Sequence, residues 1–362
     1  MSAVVFLNTS KEYGGVEKNF FLRAKLLQRE GKEVDVIVAD RAIYTIAEEQ
    51  EIKNLYFFTC FGDYDIFFLF RFYFFLRKRK AKVIFLSTKR DYWRGGIPAK
   101  AAGLEKIIGY WGFDYSFKNR VKSFIVFRYL LDLLIVNSKE LAAIFKKRSF
   151  PFNPTKIRVI YNSVEAVPAS GIRTLNLREE YNIPREAVVL GTAGRLVPSK
   201  NLHSGIEIIK SLQSTGSNNA FLFIAGTGNE QENLEKFAKE LSLERQVIFI
   251  GNVERLSQTS FYSELDIFLF FGGKREGLPN VILEALCQNT IVVSAAATGA
   301  AEIITESFLG KIVTGVEEMK EVVEQIVRNG QYAKDASRSE YVLSKFSPQK
   351  MVESTLQLFY KD

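Results

Sequence analysis

The chain has 362 residues, 47% of them hydrophobic, a formal net charge of +8 and a mean hydropathy near zero. That is long enough for two domains with cores of their own, and too apolar for a disordered chain. A single histidine, His203, and two cysteines, Cys60 and Cys287, exclude a His/Cys metal site, a His-dependent nucleophile triad and a disulfide scaffold, and point to a reducing compartment.

The opening MSAVVFLNTS lacks the basic and long apolar regions of a secretory signal, so a cytoplasmic location is expected. Charge is unevenly placed. Up to Asn162 there are 29 Lys and Arg against 16 Asp and Glu, together with 32 of the 48 aromatic residues; the remainder has 20 against 25. A basic, aromatic first half suggests a polyanionic partner for that half alone.

In chain order, a buried strand is expected over residues 3–8, then the loop SKEYGGVEKNF with Gly14 and Gly15, and a helix over 16–29. A second strand, 34–39, is followed by Asp63-Tyr64-Asp65. This triplet imitates a D-x-D metal motif but precedes a helix, so no metal is expected there. From Ile66 to Leu76 nearly every residue is aromatic or aliphatic, and Arg77, Lys78, Arg79, Lys80 and Lys82 follow. The run is far shorter than the roughly 20 residues that span a bilayer. Part of it packs on a sheet; the apolar character on all sides and the basic cluster suit an anionic membrane surface. Lys146, Lys147 and Arg148, ahead of Phe150 and Phe152, offer a second basic contact.

Strands are further expected over 83–87, 107–111 and 133–137, with a helix over 118–131. The seam falls after Asn162, giving a first domain of residues 1–162 and a second of 163–347, with a capped helix over 348–362 able to cross back onto the first. The second half repeats the scheme with strands over 188–193, 220–225, 247–251, 267–271 and 291–294. Continuous apolar strands alternating with helices imply parallel sheets covered on both faces, hence an α/β protein of two doubly wound domains.

Ligands of such sheets lie just past the strands' carboxyl ends. After residue 193 comes Gly194-Arg195-Leu196-Val197-Pro198-Ser199-Lys200-Asn201: a tight turn, then two cations at an expected helix start, suited to a diphosphate or to a solvated turn. After 225 comes a turn with Gly228, and after 249 the backbone around Gly251 and Val253 is able to pair with a flat base edge. The fourth strand runs into REGLPNVILEAL. Pro279 fits the first helical position, and Leu278, Asn280 and Val281 would turn amides toward an anion. Glu276 precedes that helix, with Gly277 between it and Leu278. Glu284 sits inside it among Val281, Ile282, Leu283, Ala285 and Leu286, an expensive place for an idle carboxylate. Two acids around an anion site suit a ligand that is both phosphorylated and rich in hydroxyls.

GRLVPSKN followed by EGLPNVILEAL closely resembles the donor-site signatures of glycosyltransferase family 4, and SKEYGGVEKNF fits the same family's first domain. The resemblance implies a GT-B fold, two Rossmann-like domains facing each other across a cleft, and a retaining, metal-independent transfer from a nucleotide sugar, UDP-linked in preference to GDP-linked. It implies Arg195 and Lys200 on the donor diphosphate, Glu276 on the transferred sugar, Glu284 on the ribose, and the amides of Leu278, Asn280 and Val281 on sugar and phosphate. Gly14 and Gly15 would let the first-domain loop approach the donor. Many relatives have a histidine near the sugar, which is missing here. Asp91, in LSTKRDYWRGG, stands where a substitute would lie, as acceptor contact or proton acceptor, or equally as helix cap or arginine partner. The expected acceptor is a lipopolysaccharide core or polyprenyl-linked glycan, met by a peripheral enzyme on the inner face of the cytoplasmic membrane. A nucleic-acid binder lacks any RNP-like or helix-turn-helix signature, and a dinucleotide oxidoreductase lacks G-x-G-x-x-G after the first strand of either half. A sugar-nucleotide epimerase or a phosphorylase would share the fold.

Overall fold

The computed structural model describes residues 4–113, 120–147, 152–166, 173–216, 219–252, 256, 259–272, 276–297 and 299–360. The chain divides into two compact units, one running up to Ser163 and resuming at Pro348, the other from Val164 to Ser347.

The first unit is built on seven strands: β1 (Val4–Asn8), β2 (Val34–Val38), β3 (Leu55–Phe57), β4 (Val83–Leu86), β5 (Lys106–Trp111), β6 (Leu133–Val136) and β7 (Ile157–Val159). They lie in the order β3-β2-β1-β4-β5-β6-β7, every neighbouring pair parallel. The chain winds outward from β1 to one edge, then returns to β4 and winds to the other. The winding reverses between β1 and β4, the position at which such sheets leave a crevice.

Both faces are covered. Phe20, Phe21, Ala24 and Leu27 of the helix Gly15–Arg29 share one core with Met351, Val352 and Phe359 of the helix Pro348–Tyr360. On the other face Trp111, Phe127, Phe145 and Phe152 pack with their rings tilted or edge-on, 5.2 to 6.3 Å between centroids. Much of the aromatic excess of the first half is therefore core.

The second unit holds β8 (Val188–Ala193), β9 (Ala220–Ala225), β10 (Val247–Gly251), β11 (Ile267–Phe270), β12 (Ile291–Ala295) and β13 (Gly310–Val313), in the parallel order β10-β9-β8-β11-β12-β13. Its reversal falls between β8 and β11.

The structure adds what the pattern did not announce. β3 is three half-buried residues at a sheet edge, and β13 opens on Gly310, where a Cβ would lie 1.8 Å from the carbonyl oxygen of Val292. β3, though apolar, is too short to stand out, and β13 is short and opens on Gly and Lys. The helix expected over 118–131 is α-helical at Arg120–Ile125 and then widens to a π-helical turn at Val126–Leu130, which puts Val126, Phe127 and Leu130 all into the core; residues 118 and 119 lie outside the described ones.

Candidate active site

The loops after β8, β9 and β10 are laced together by backbone hydrogen bonds. Gly194 N donates to Ala225 O at 2.9 Å, Leu196 N to Thr227 O at 2.9 Å, and Gly226 N to Gly251 O at 2.7 Å. Such close approach needs glycine. Gly226 has φ +140°, and a Cβ there would lie 1.8 Å from Gly194 O; one on Gly228 would lie 2.2 Å from Leu196 O.

On this platform sit the two cations. Arg195 is exposed. Lys200 closes a 3₁₀ turn, Pro198–Lys200, and the α-helix begins only at His203. The sequence placed both cations at a helix start; Pro198 and the left-handed Asn201 (φ +48°) intervene and delay it. Lys200 Nζ forms an ion pair with Glu276 Oε1 and lies 5.7 Å from the Phe270 ring centroid. The two motifs either side of the β8/β11 reversal thus meet in one contact.

The helix that follows runs Asn280–Cys287. Pro279 is its N-cap with ψ 113°, not its first helical residue: the backbone there is still extended, and the missing N–H costs nothing at either position. The loop after β12 braces this turn from outside. Gly299, at φ +80°, comes so near that a Cβ would lie 2.5 Å from Gly277 O.

Glu284 is buried, and its Oε2 accepts a hydrogen bond from Tyr262 Oη at 2.7 Å. Burial, then the Glu284 charge and this bond, push the Tyr262 phenol well above its ordinary value, so it stays a donor. Tyr262 is held in turn. Its carbonyl accepts from Thr290 Oγ1 and, at 3.4 Å, from Lys334 Nζ, and its ring meets Phe268 edge-on at 5.3 Å. Burial beside Glu284 also pushes the Cys287 thiol up to about 11, which removes it as a nucleophile at neutral pH. Sequence reasoning missed Tyr262. No spacing rule links a tyrosine 22 positions away to the acid it holds, and only the phenylalanine and tyrosine pair ahead of Asp266 hinted at a core contact.

In the first unit Gly14 caps the helix Gly15–Arg29, and its N–H donates to Glu17 Oε2 at 3.1 Å. Its φ of −156° is extended backbone open to any residue. Glu17 is buried, also accepts from Asn8 Nδ2 at 3.4 Å, and is raised above the usual carboxylate range chiefly by that burial.

Asp91 requires correction. It is fully buried, and both oxygens are taken: Oδ1 accepts from Thr9 N at 3.0 Å and Thr9 Oγ1 at 2.5 Å, Oδ2 from Thr88 N at 2.8 Å, Thr88 Oγ1 at 2.7 Å and Ser87 Oγ at 3.1 Å. Burial raises its pKa while these bonds pull the other way. A carboxylate so engaged closes a capping box and ties β1 to β4; it is not placed as a proton acceptor. Asp63 pairs with Arg94 and Lys122, and Asp65 caps the helix Ile66–Lys78. Among the described residues no group of three or more His, Cys, Asp or Glu is placed to hold a metal. Val253 lies outside the described residues.

Two parallel sheets, each with one reversal, and a strand-end site of paired cation and carboxylate on a glycine platform define a two-unit α/β protein of the GT-B type. Residues 174–341 match the model of glycosyl transferases group 1, and residues 13–166 that of glycosyltransferase family 4. The chain belongs to glycosyltransferase family 4.

The lipopolysaccharide core biosynthesis glycosyltransferase LpsE of Rhizobium meliloti is 30% identical over 50% of this chain and 52% of its own length. The O-antigen biosynthesis glycosyltransferase WclY of Escherichia coli is 28% identical over 36% of this chain and 35% of its own. The chain thus spans about half or less of the length of these relatives. The crystal structure of HepE of Anabaena in complex with UDP is 20% identical, with a TM-score of 0.84 over 98% of this chain and 99% of that one. The lipopolysaccharide outer core galactosyltransferase WaaB follows at 14% identity and a TM-score of 0.74 over the whole of both. At such identities the likeness speaks for the fold alone, and the fold is GT-B.

Proposed function

We propose that this chain moves a hexose-type sugar from a nucleoside diphosphate sugar, UDP-linked in preference to GDP-linked, onto a glycan acceptor of the lipopolysaccharide-core or polyprenyl-linked kind. One observation carries the reading: the ion pair of Lys200 with Glu276 joins the loops either side of the β8/β11 reversal, directly ahead of the helix that buries Glu284. The relatives in core and O-antigen biosynthesis and the UDP complex of HepE support it.

In this reading Arg195, Lys200 and the positive end of the helix Asn280–Cys287 stabilise the diphosphate as the sugar departs. The amides of Leu278, Asn280 and Val281 border the sugar and phosphate. Glu284, steadied through Oε2 by Tyr262, turns its remaining acceptor capacity to ribose hydroxyls. Glu276, steadied by Lys200, faces the transferred sugar. Transfer retains configuration: the leaving phosphate accepts the acceptor proton, so neither a protein nucleophile nor a metal takes part. The enzyme works as a peripheral protein at the inner face of the cytoplasmic membrane, with no nucleic-acid partner.

Calorimetric titration with UDP and GDP tests the donor site. UDP should bind more tightly, and Glu284→Ala should weaken it by about tenfold, the size expected for one lost charged hydrogen bond. Absence of UDP binding, or an unchanged affinity in the variant, would sink the assignment.

A further inference from the structure

Large apolar side chains left exposed on a monomer are normally scattered singly. Here nine of the eleven among the described residues fall into two stretches of the first unit. One comprises Phe61, Tyr64, Ile66, Phe67, Phe70 and Phe74, with Phe61 90% and Phe67 84% exposed. The other is Val121, Phe124 and Tyr129.

The helix Ile66–Lys78 is not uniformly apolar in what it presents. Phe68, Phe72 and Leu76 face the core, while Phe67, Phe70 and Phe74, spaced by three and four, form an outer stripe. The fold brings the second stretch alongside. Lys122 pairs with Asp63 and lies 5.7 Å from the Tyr64 ring centroid and 5.1 Å from that of Trp93.

The rim is cationic. Arg71, Arg77, Lys78 and Lys80 on one side and Arg120 and Arg128 on the other are exposed, and neither helix contains an acid. The acids nearby are engaged: Asp63 by Arg94 and Lys122, Asp65 by the amides of Phe61 and Phe68, Glu33 and Asp35 by Arg79.

We propose that this two-helix face docks on an anionic lipid bilayer, its aromatic side chains entering the boundary between headgroups and acyl chains and its Arg and Lys meeting lipid phosphates. A thirteen-residue helix is roughly 20 Å long, and no helix among the described residues is long and apolar enough to cross a membrane, so the face lies on the surface. A second copy of the chain fits less well, since a two-fold pairing would set two cationic rims against each other.

The face also continues to the sheet's carboxyl edge. Asp63 binds Arg94, whose Nη1 donates to Thr9 Oγ1 at 2.7 Å beside the β1/β4 reversal. Lipid contact and strand-end edge are thereby joined through Lys122, Asp63, Arg94 and Thr9. An acceptor whose lipid stays in the bilayer would present its sugar to that edge. This consequence rests on the acceptor class proposed above; the docking does not.

Flotation with vesicles tests it. Wild type should bind phosphatidylglycerol–phosphatidylcholine vesicles at least tenfold more strongly than phosphatidylcholine alone. The triple variant Phe67→Ser, Phe70→Ser, Phe74→Ser should lose at least tenfold of that binding, with melting temperature and UDP affinity unchanged. No preference for the anionic vesicles, or a triple variant that floats like wild type, overturns the proposal. So does light scattering that finds a dimer dissolved by the triple variant without vesicle binding, or capture of single-stranded RNA in place of vesicles. UDP affinity measured on the same preparations reports separately on the donor site, so either reading can fail alone.

Discussion

Glu284 sits among Ile282, Leu283, Ala285 and Leu286, where an unbonded carboxylate would cost several kcal/mol. Tyr262 supplies the bond, and that bond aims the acid. Tyr262→Phe keeps the packing and removes only the hydroxyl. It should cost about 1–2 kcal/mol in urea denaturation and weaken UDP severalfold by calorimetry. In the proposed reading Glu276, paired with Lys200, faces the transferred sugar. Glu276→Ala should lower kcat at least tenfold while the UDP dissociation constant moves less than about twofold, the pattern of an interaction made chiefly in the transition state. A larger effect on binding than on turnover would reassign it. Behind Tyr262, burial lowers Lys334 to about 8, even though Thr290 Oγ1 accepts from it at 2.7 Å. Below pH 8 both folded and unfolded chains hold this proton, and the folded state bears the cost of its partly desolvated charge. Between about 8 and the unfolded value near 10.4 the unfolded chain binds more protons, so stability rises with pH. Lys334 is itself exposed, so solvent screens part of that cost, and denaturation at pH 7.5 and 9.5 should show wild type gaining on the order of 1 kcal/mol relative to Lys334→Met. At this scale Arg195, Lys200, Glu276 and Glu284 stood out along the chain as candidates because charged and apolar residues alternate in an order a bland helix would not use. Tyr262 and Lys334 did not, because their roles depend on neighbours distant along the chain.

Between residues and sheets, the site depends on loops that touch without side chains. Gly226→Ala would push a methyl into the Gly194 carbonyl at a backbone angle that disfavours any L side chain. A loss of more than about 2 kcal/mol is expected in thermal denaturation, with UDP binding lost at temperatures where the fold persists. Retained binding would show that the glycine platform is not the phosphate seat. Asp91 belongs to the same scale. Its residue type and place after a strand left catalyst and cap equally open, and the five hydrogen bonds from Thr9, Ser87 and Thr88 decide for the cap. The helix starts at Lys200 and Pro279 were each misread locally, by a 3₁₀ turn and by one residue, because propensity alone does not separate a cap from a first turn.

For the whole molecule, the chain's final helix belongs to the same unit as its opening strands. Met351, Val352 and Phe359 are buried with Phe6, Phe85 and Tyr110. Ending the chain at Ser347 would expose that core and cost on the order of 5 kcal/mol or more for three buried side chains. Calorimetric scanning should show the transition of the first unit lowered or lost and that of the second, Val164–Ser347, nearly unmoved. A single transition shifted as one would mean that the two units do not melt separately.

The sequence by itself determined the class of sheet, the strand ends to inspect and the family, because runs of apolar residues and the order of charges around glycines and proline are local properties written along the chain. Only the tertiary structure decided which of the many aromatics are core and which stand in solvent, that Asp91 is consumed by its own turn, and that a tyrosine holds Glu284. Those depend on which distant segments the fold brings within a few ångströms, and hydrogen bonding and burial act only at that range.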